Sequence, residues 1–197
     1  AVVARRREQL RHGQEEKRAC EMDTTEPWSG LRIVDWVVRR EKWDACRRSK
    51  ELVPFHKLAG LRPSGSSQVV VGVLHAPPRR VTPPPPALPF AELALTDLDP
   101  QEPRQAVLVL TGRAADHWAD PTGAGSAQCK VGSIFAVLNP KLGKRSSAIT
   151  ASVETQVLKL GSSPSLRFCD ARSKDGLPCR RPYSAEAGAA MCAMHAG

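Results

Sequence analysis

Apolar and polar residues alternate most clearly in "AITASVETQVLKL". Ile149, Ala151, Val153 and Val157 fall on one side, and Thr150, Ser152, Glu154 and Gln156 on the other. A period of two is that of a strand with one face buried. "QVVVGVLH" (Gln68 to His75) is short, β-branched and bounded by turn residues, and "RQAVLVLTG" (Arg104 to Gly112) reads as another strand. "FAELALTDL" places Ala91, Leu93 and Leu95 on one face, and "KVGSIFAVLNP" (Lys130 to Pro140) is an almost continuous apolar run. These five segments predict five strands. "RAADHWADPTGAGSAQC", between the third and fourth, starts as a brief helix and then dissolves into Gly, Ser and Pro. That order is the order of a five-stranded OB-fold barrel, although the spacing equally admits another small barrel. The predicted class is mainly β, with the barrel over residues 65–160.

The flanks have other textures. Residues 1–26 ("ARRREQLRHGQEEKRACEMD" and neighbours) form a charge run, expected to be a tail or an exposed helix. Residues 27–64 interleave Leu31, Ile33, Val34, Trp36, Val37 and Val38 with arginines and hold three of the four tryptophans. This basic, aromatic extension is expected to dock on the barrel, since aromatics are normally buried; stacking on bases is the alternative. Residues 76–89 carry seven of the 17 prolines, in "PPRRVTPPPPALP". They read as a stiff loop between the first two strands, with a polyproline ligand as the alternative and Arg79 and Arg80 adding charge to one mouth of the barrel.

Composition narrows the partners. The chain has 197 residues, 41% of them hydrophobic and 25% charged, with a formal net charge of +9 and a pI near 9.6. Such an imbalance favours polyanions, either nucleic acid or an acidic membrane face. No apolar run approaches the roughly 20 residues that cross a bilayer, so no membrane partner is expected. "AVVARRREQLRHG" lacks the apolar core of a secretory signal. Starting at Ala1 and stopping just after His195, the chain reads as a fragment of something longer.

Candidate chemistry sits at the C-terminal end. Cys20, Cys46 and Cys129 are scattered, whereas Cys169, Cys179, Cys192 and His195 follow one another as Cys-x9-Cys-x12-Cys-x2-His. This distribution suits a reducing compartment with one metal site better than a disulfide framework. The closing "CAMH" places two ligands on one tight knuckle. Three thiolates and an imidazole form a soft tetrahedral set that suits one Zn2+. Four protein donors leave no position for an activated water, so the ion is expected to be structural, holding residues 161–197 as a CCCH zinc finger. Chance clustering is the alternative. His117, beside Trp118, reads as a packed or capping residue, and His56 and His75 offer nothing distinctive. No HExxH, G-x-S-x-G or phosphate-binding loop is present, and "LGKRSS" lacks the glycines of the last. The chain is therefore not expected to be an enzyme.

These residues together resemble the minichromosome maintenance protein ten family of eukaryotic replication-initiation factors, in its central OB-fold plus CCCH zinc-finger domain. "GRAADHW" (Gly112 to Trp118), "LNP" (Leu138 to Pro140), "CDARSKDGLPC", "SGLRI" and "LVPFHKLAG" each resemble a segment of that domain, and the likeness runs from Trp28 to His195. The chain departs from the family in having "MCAMHAG" where aromatics are usual, and in its long Pro-rich loop and "ADPTGAGSAQ" insert. The resemblance implies a nuclear scaffold that binds single-stranded DNA, and double-stranded DNA more weakly. It also implies work beside the replicative helicase and recruitment of DNA polymerase alpha–primase.

A basic barrel carrying a zinc-held knob grips a phosphate backbone without reading bases. With only 5% aromatic residues, charge is expected to carry most of the affinity. The candidate DNA contacts are Lys141, Lys144 and Arg145 between the last two strands, and Arg172, Lys174, Arg180 and Arg181 on the finger. Arg113 and Lys130 come second. Phe168, beside the first ligand, is expected to pack the finger onto the barrel, with stacking on a base as the alternative. Two other classes stay open: a protein-interaction scaffold in which the barrel face holds a peptide, and a nucleic-acid-gripping module of an enzyme whose catalytic domain lies elsewhere. Backbone-led binding also leaves RNA open as the polyanion.

Overall fold

The computed structural model of the chain describes residues 24–61, 67–143, 148–172 and 175–195. Strands dominate. In chain order they are β1 (Thr24–Thr25), β2 (Arg32–Ile33), β3 (Glu51–Leu52), β4 (Gln68–Leu74), β5 (Arg79–Val81), β6 (Phe90–Thr96), β7 (Gln105–Thr111), β8 (Ser133–Leu138), β9 (Lys141–Leu142), β10 (Ala148–Ala151), β11 (Val157–Ser162), β12 (Leu166–Phe168) and β13 (Pro182–Ser184). Among the described residues, two short helices, α1 (Arg40–Arg48) and α2 (Gly112–Trp118), accompany the strands with single 3-10 turns. Neither helix is long and apolar enough to cross a membrane.

The predicted five strands are β4, β6, β7, β8 and β10. β4 pairs antiparallel with β6 and β8, β6 antiparallel with β7, and β7 parallel with β10. α2 sits between the third and fourth of them. That is the OB order, parallel pair included. β9, paired with β10, follows β8 after Asn139 and Pro140, so the far side of the sheet is joined to β8 through the chain. Asn139 turns there with a φ of 47°, a conformation its short polar side chain tolerates.

Two apolar clusters flank β4 and β8. Val70, Leu74, Phe135 and Val137 face the barrel interior with Leu93, Leu108, Leu110 and Ile149. Val69, Val71, Val73, Ile134 and Ala136 face the other way, onto Leu31, Ile33, Trp36 and Trp43 of the N-terminal segment. Burial on both faces is why these strands read as continuous apolar runs, while β6 and β7, half-exposed outside, alternate. Gly72 belongs to the interior row. A Cβ there would stand 2.7 Å from the ring of Phe55, whose 3-10 turn plugs that end of the barrel.

Three expectations need correction. The alternating stretch after Ile149 is two strands, not one. After Ala151 the Gln156 side chain folds back to accept the N–H groups of Ser152 and Val153, at 2.9 and 3.1 Å, and a 3-10 turn over Glu154–Gln156 follows. Val153 is therefore 41% exposed rather than inward-facing. The Pro-rich loop is not wholly irregular, because Arg79–Val81 pairs along β6. Pro84 then accepts the Ala87 N–H at 3.2 Å, turning the proline run back on itself. Most of the charge run lies outside the described residues, but its last member is not exposed. Glu26 is 1% accessible, held among the backbone N–H groups of Trp28 and Ser29.

α1 shows how the N-terminal segment docks. Glu41 in its first turn and Arg47 and Arg48 in its last complement the helix dipole. Trp43 is its buried residue. Val34 and Ser162 exchange both backbone hydrogen bonds, at 2.9 and 2.8 Å, so the segment extends the sheet beside β11.

Candidate metal centre and sheet face

β11 runs to Ser162, and the finger begins where it ends. β12 and β13 form an antiparallel pair with Leu166 opposite Ser184 and Phe168 opposite Pro182. Leu166 and Phe168 pack into the outer cluster, which fastens the finger to the barrel. Cys169 follows β12 directly. Its N–H donates to Arg181 at 3.0 Å, and its carbonyl accepts from Arg180 at 3.0 Å. Arg180 has a φ of 56°, the turn that swings Cys179 toward Cys169. Cys179 donates its own N–H to Ala171 at 2.8 Å. The knuckle closes with His195 N–H donating to the Cys192 carbonyl at 2.8 Å.

One donor atom from each of Cys169, Cys179, Cys192 and His195 lies within 4.8 Å of all the others. Cys179 Sγ and Cys192 Sγ are 3.8 Å apart, and His195 Nδ1 is 3.5 Å from Cys169 Sγ and 3.4 Å from Cys192 Sγ. A tetrahedral zinc with bonds of about 2.3 Å to sulfur and about 2.0 Å to nitrogen needs S–S edges of about 3.8 Å and S–N edges of about 3.5 Å. The three edges given match that ion, and the full set, within 4.8 Å, is close enough to hold one. Cys169 and Cys192 are buried, and the tetrahedron is filled by protein, so an ion here would hold shape and activate no water.

The local electrostatics already favour a thiolate. Burial alone would raise Cys169, but backbone N–H groups at Cys192 and Ala171, with the Cys192 thiol and the His195 ring, outweigh it and hold it down to about 6. Cys192 moves up, through burial and through the neighbouring Cys169 and Cys179. A cation among them would remove that conflict.

The second feature is the outward face of the barrel sheet. Register places Arg79 opposite Glu92, Glu92 opposite Val109, Val109 opposite Thr150, and Thr150 opposite Lys141. Residues paired across a ladder share a face, so one row crosses five strands. Its floor is Val109 with Val107 and Ala94 beside it, all half-buried, and its ends are Arg79 and Lys141, both exposed. Arg79 is tethered, its Nε donating to Glu92 at 3.0 Å. Arg80 pairs with Asp120, whose carboxyl is pushed down to about 2 by the Thr122 hydroxyl and amide and by Arg80.

The remaining candidates are distributed rather than gathered. Arg113 is exposed in the first turn of α2, and Lys130 is exposed just before β8, at the far end of that strand from Lys141. Arg172, Arg180 and Arg181 are exposed on the finger. Lys144, Arg145 and Lys174 lie outside the described residues. Sequence reasoning missed Glu92, Val107, Val109 and Thr150 as parts of the face. The signal was present, since in "RQAVLVLTG" an inward Leu108 and Leu110 oblige Val107 and Val109 to point out. His117 is packed as expected, edge-on to Trp118 with centroids 4.8 Å apart.

The chain matches no protein-family model and no curated protein sequence. Among solved structures it is similar to a replication protein A heterotrimer bound to single-stranded DNA, at 20% identity and a TM-score of 0.35, over 58% of this chain and 25% of that one. It is also similar to the OB domain of Ta0387 from Thermoplasma acidophilum, at 8% identity and a TM-score of 0.31, over 56% of this chain and 85% of that one.

Proposed function

We infer that this chain is a non-enzymatic nucleic-acid-binding module of DNA replication, stiffened by one structural zinc ion. It binds single-stranded DNA, and duplex more weakly, chiefly through charge. It acts in the nucleus, where it scaffolds the replicative helicase and DNA polymerase alpha–primase. The observation that carries the binding reading is the register row from Arg79 to Lys141. An OB sheet offers the face of its second and third strands to oligonucleotides, together with the loops after its first and fourth. Here those strands are β6 and β7, and those loops supply Arg79, Arg80, Lys141, Lys144 and Arg145. Valines on the floor accept unstacked bases, and cations at both ends accept phosphates. The excess of +9 supplies the long-range attraction. The helicase, polymerase and nuclear assignments are supported by the sequence resemblance alone.

A salt titration of single-strand binding tests the reading. Log affinity should fall linearly with log salt, with a slope equal to several neutralised phosphates. Reversing Lys144 and Arg145 together should flatten that slope. Affinity indifferent to salt overturns the electrostatic grip, and absence of single-strand binding overturns the function.

A further inference from the structure

The N-terminal segment, the β6–β7 turn and the base of the finger meet around a cleft of about 360 Å³. Leu31, Val53, Phe55, Val71 and Leu98 form its apolar lining. Asp97, Asp99 and Glu186 stand around it, with Arg32 and the His56 imidazole as the basic residues. In a chain with a formal charge of +9, this is a place where carboxylates outnumber bases.

Leu98 explains the arrangement. It is only 4% exposed and takes a φ of 52°, so its side chain is driven into the outer cluster, and Asp97 and Asp99 flank it toward the cleft. One oxygen of each carboxylate is committed to local structure. Asp97 Oδ1 accepts the Arg104 N–H at 2.8 Å, Asp99 Oδ1 accepts those of Gln101 and Glu102 at 2.9 Å, and Glu186 Oε1 accepts the Ser165 hydroxyl. The second oxygen of each has no hydrogen-bond partner among the described residues, and none of the three carboxylates forms an ion pair there. Among the described residues the result is a fixed set of acceptors above an apolar floor.

We propose that this cleft docks a segment of another protein that carries a lysine or arginine beside an apolar side chain. Charge complementarity selects the partner. Three carboxylates against one arginine and one histidine repel phosphate and attract a cationic head. The buried lining rewards an apolar neighbour, and the volume lies within the range of about 300–1,000 Å³ usual for binding pockets. The proposal is independent of the nucleic-acid reading, which uses the other face of the barrel.

The test is fluorescence anisotropy on the full chain with a fluorescein-labelled Lys-Leu-Arg-Leu-Lys peptide, and with Glu-Leu-Glu-Leu-Glu as its counterpart. The cationic peptide should bind and the acidic one should not. Asp99→Asn with Glu186→Gln should weaken the cationic peptide about tenfold, while single-strand affinity stays the same or rises. Both residues are exposed, so the variant folds, and circular dichroism verifies it. Asp175→Asn, an exposed finger carboxylate outside the cleft, should change nothing. Equal binding of the acidic peptide, no binding of the cationic one, or equal loss in the Asp175 variant overturns the proposal.

Discussion

The Trp43 indole N–H donates to Glu26 Oε1 at 3.3 Å, joining α1 to a carboxylate seventeen positions earlier in the chain. Arg47 stands 3.7 Å from the same oxygen, while Oε2 takes the N–H groups of Trp28 and Ser29 and the Ser29 hydroxyl. Glu26 is thus the polar centre of the docked segment. Glu26→Ala should cost about 3 kcal/mol, because it orphans several buried donors at once and leaves Arg47 without its partner. Glu26→Gln, which keeps one acceptor, should cost less. Urea unfolding of the two variants gives the comparison; equal and negligible losses would show the network to be idle.

Metal removal should act on one module. Purified protein is expected to contain about one zinc per chain by atomic emission. Chelation should abolish hydrogen-exchange protection across Leu166–Phe168 and Pro182–Ser184, while amides of β7 stay protected by a separate core. Cys179→Ser should reproduce the effect without a chelator. Protection in the hairpin that survives metal loss would count against the centre.

Glu92 lies in the middle of the sheet face and neutralises Arg79. Glu92→Gln removes a negative charge from the path of the phosphates and releases a guanidinium. Single-strand affinity should rise about threefold to tenfold at low salt, and the salt slope should steepen by about one unit. Lys141→Glu should do the reverse. If both substitutions leave affinity unchanged, the nucleic acid lies elsewhere.

Asp97 supplies a pH dependence. Burial raises its pKa, more than the Arg104 and Asp99 N–H groups lower it. A carboxyl whose folded pKa lies above its unfolded value favours the fold fully below the unfolded pKa, and that contribution is lost as pH rises through the folded one. Asp97→Asn keeps the acceptor and removes the ionisation. Its melting temperature relative to the parent should therefore climb as pH rises from about 3 to 7. A flat or opposite difference would place the carboxylate in a wetter site than the structure gives it.

Much of this was legible before the coordinates. Period two in "FAELALTDL" marked β6, "RQAVLVLTG" was read as the strand that is β7, and the Cys-x9-Cys-x12-Cys-x2-His spacing marked four residues that do converge. The break after Ala151 was not legible, since Val153 and Val157 keep the alternation while a Gln156 amide folding back on the backbone ends the strand. Glu26 was hidden for another reason. Within a run of charges nothing local distinguishes it, and its burial is decided by Trp43 and Arg47. The acidic cleft was equally invisible, because Asp97, Asp99 and Glu186 meet only after the finger has returned to the barrel.

The paired backbone bonds between Val34 and Ser162 carry a consequence for biosynthesis. Leu31, Ile33, Trp36 and Trp43 leave the ribosome well over a hundred residues before β11, the edge they join. At usual translation speeds that interval is on the order of ten seconds. For that time the nascent chain carries a bare apolar stripe beside a string of arginines. Its yield in cells will depend on what shelters that stripe until β11 has been synthesised.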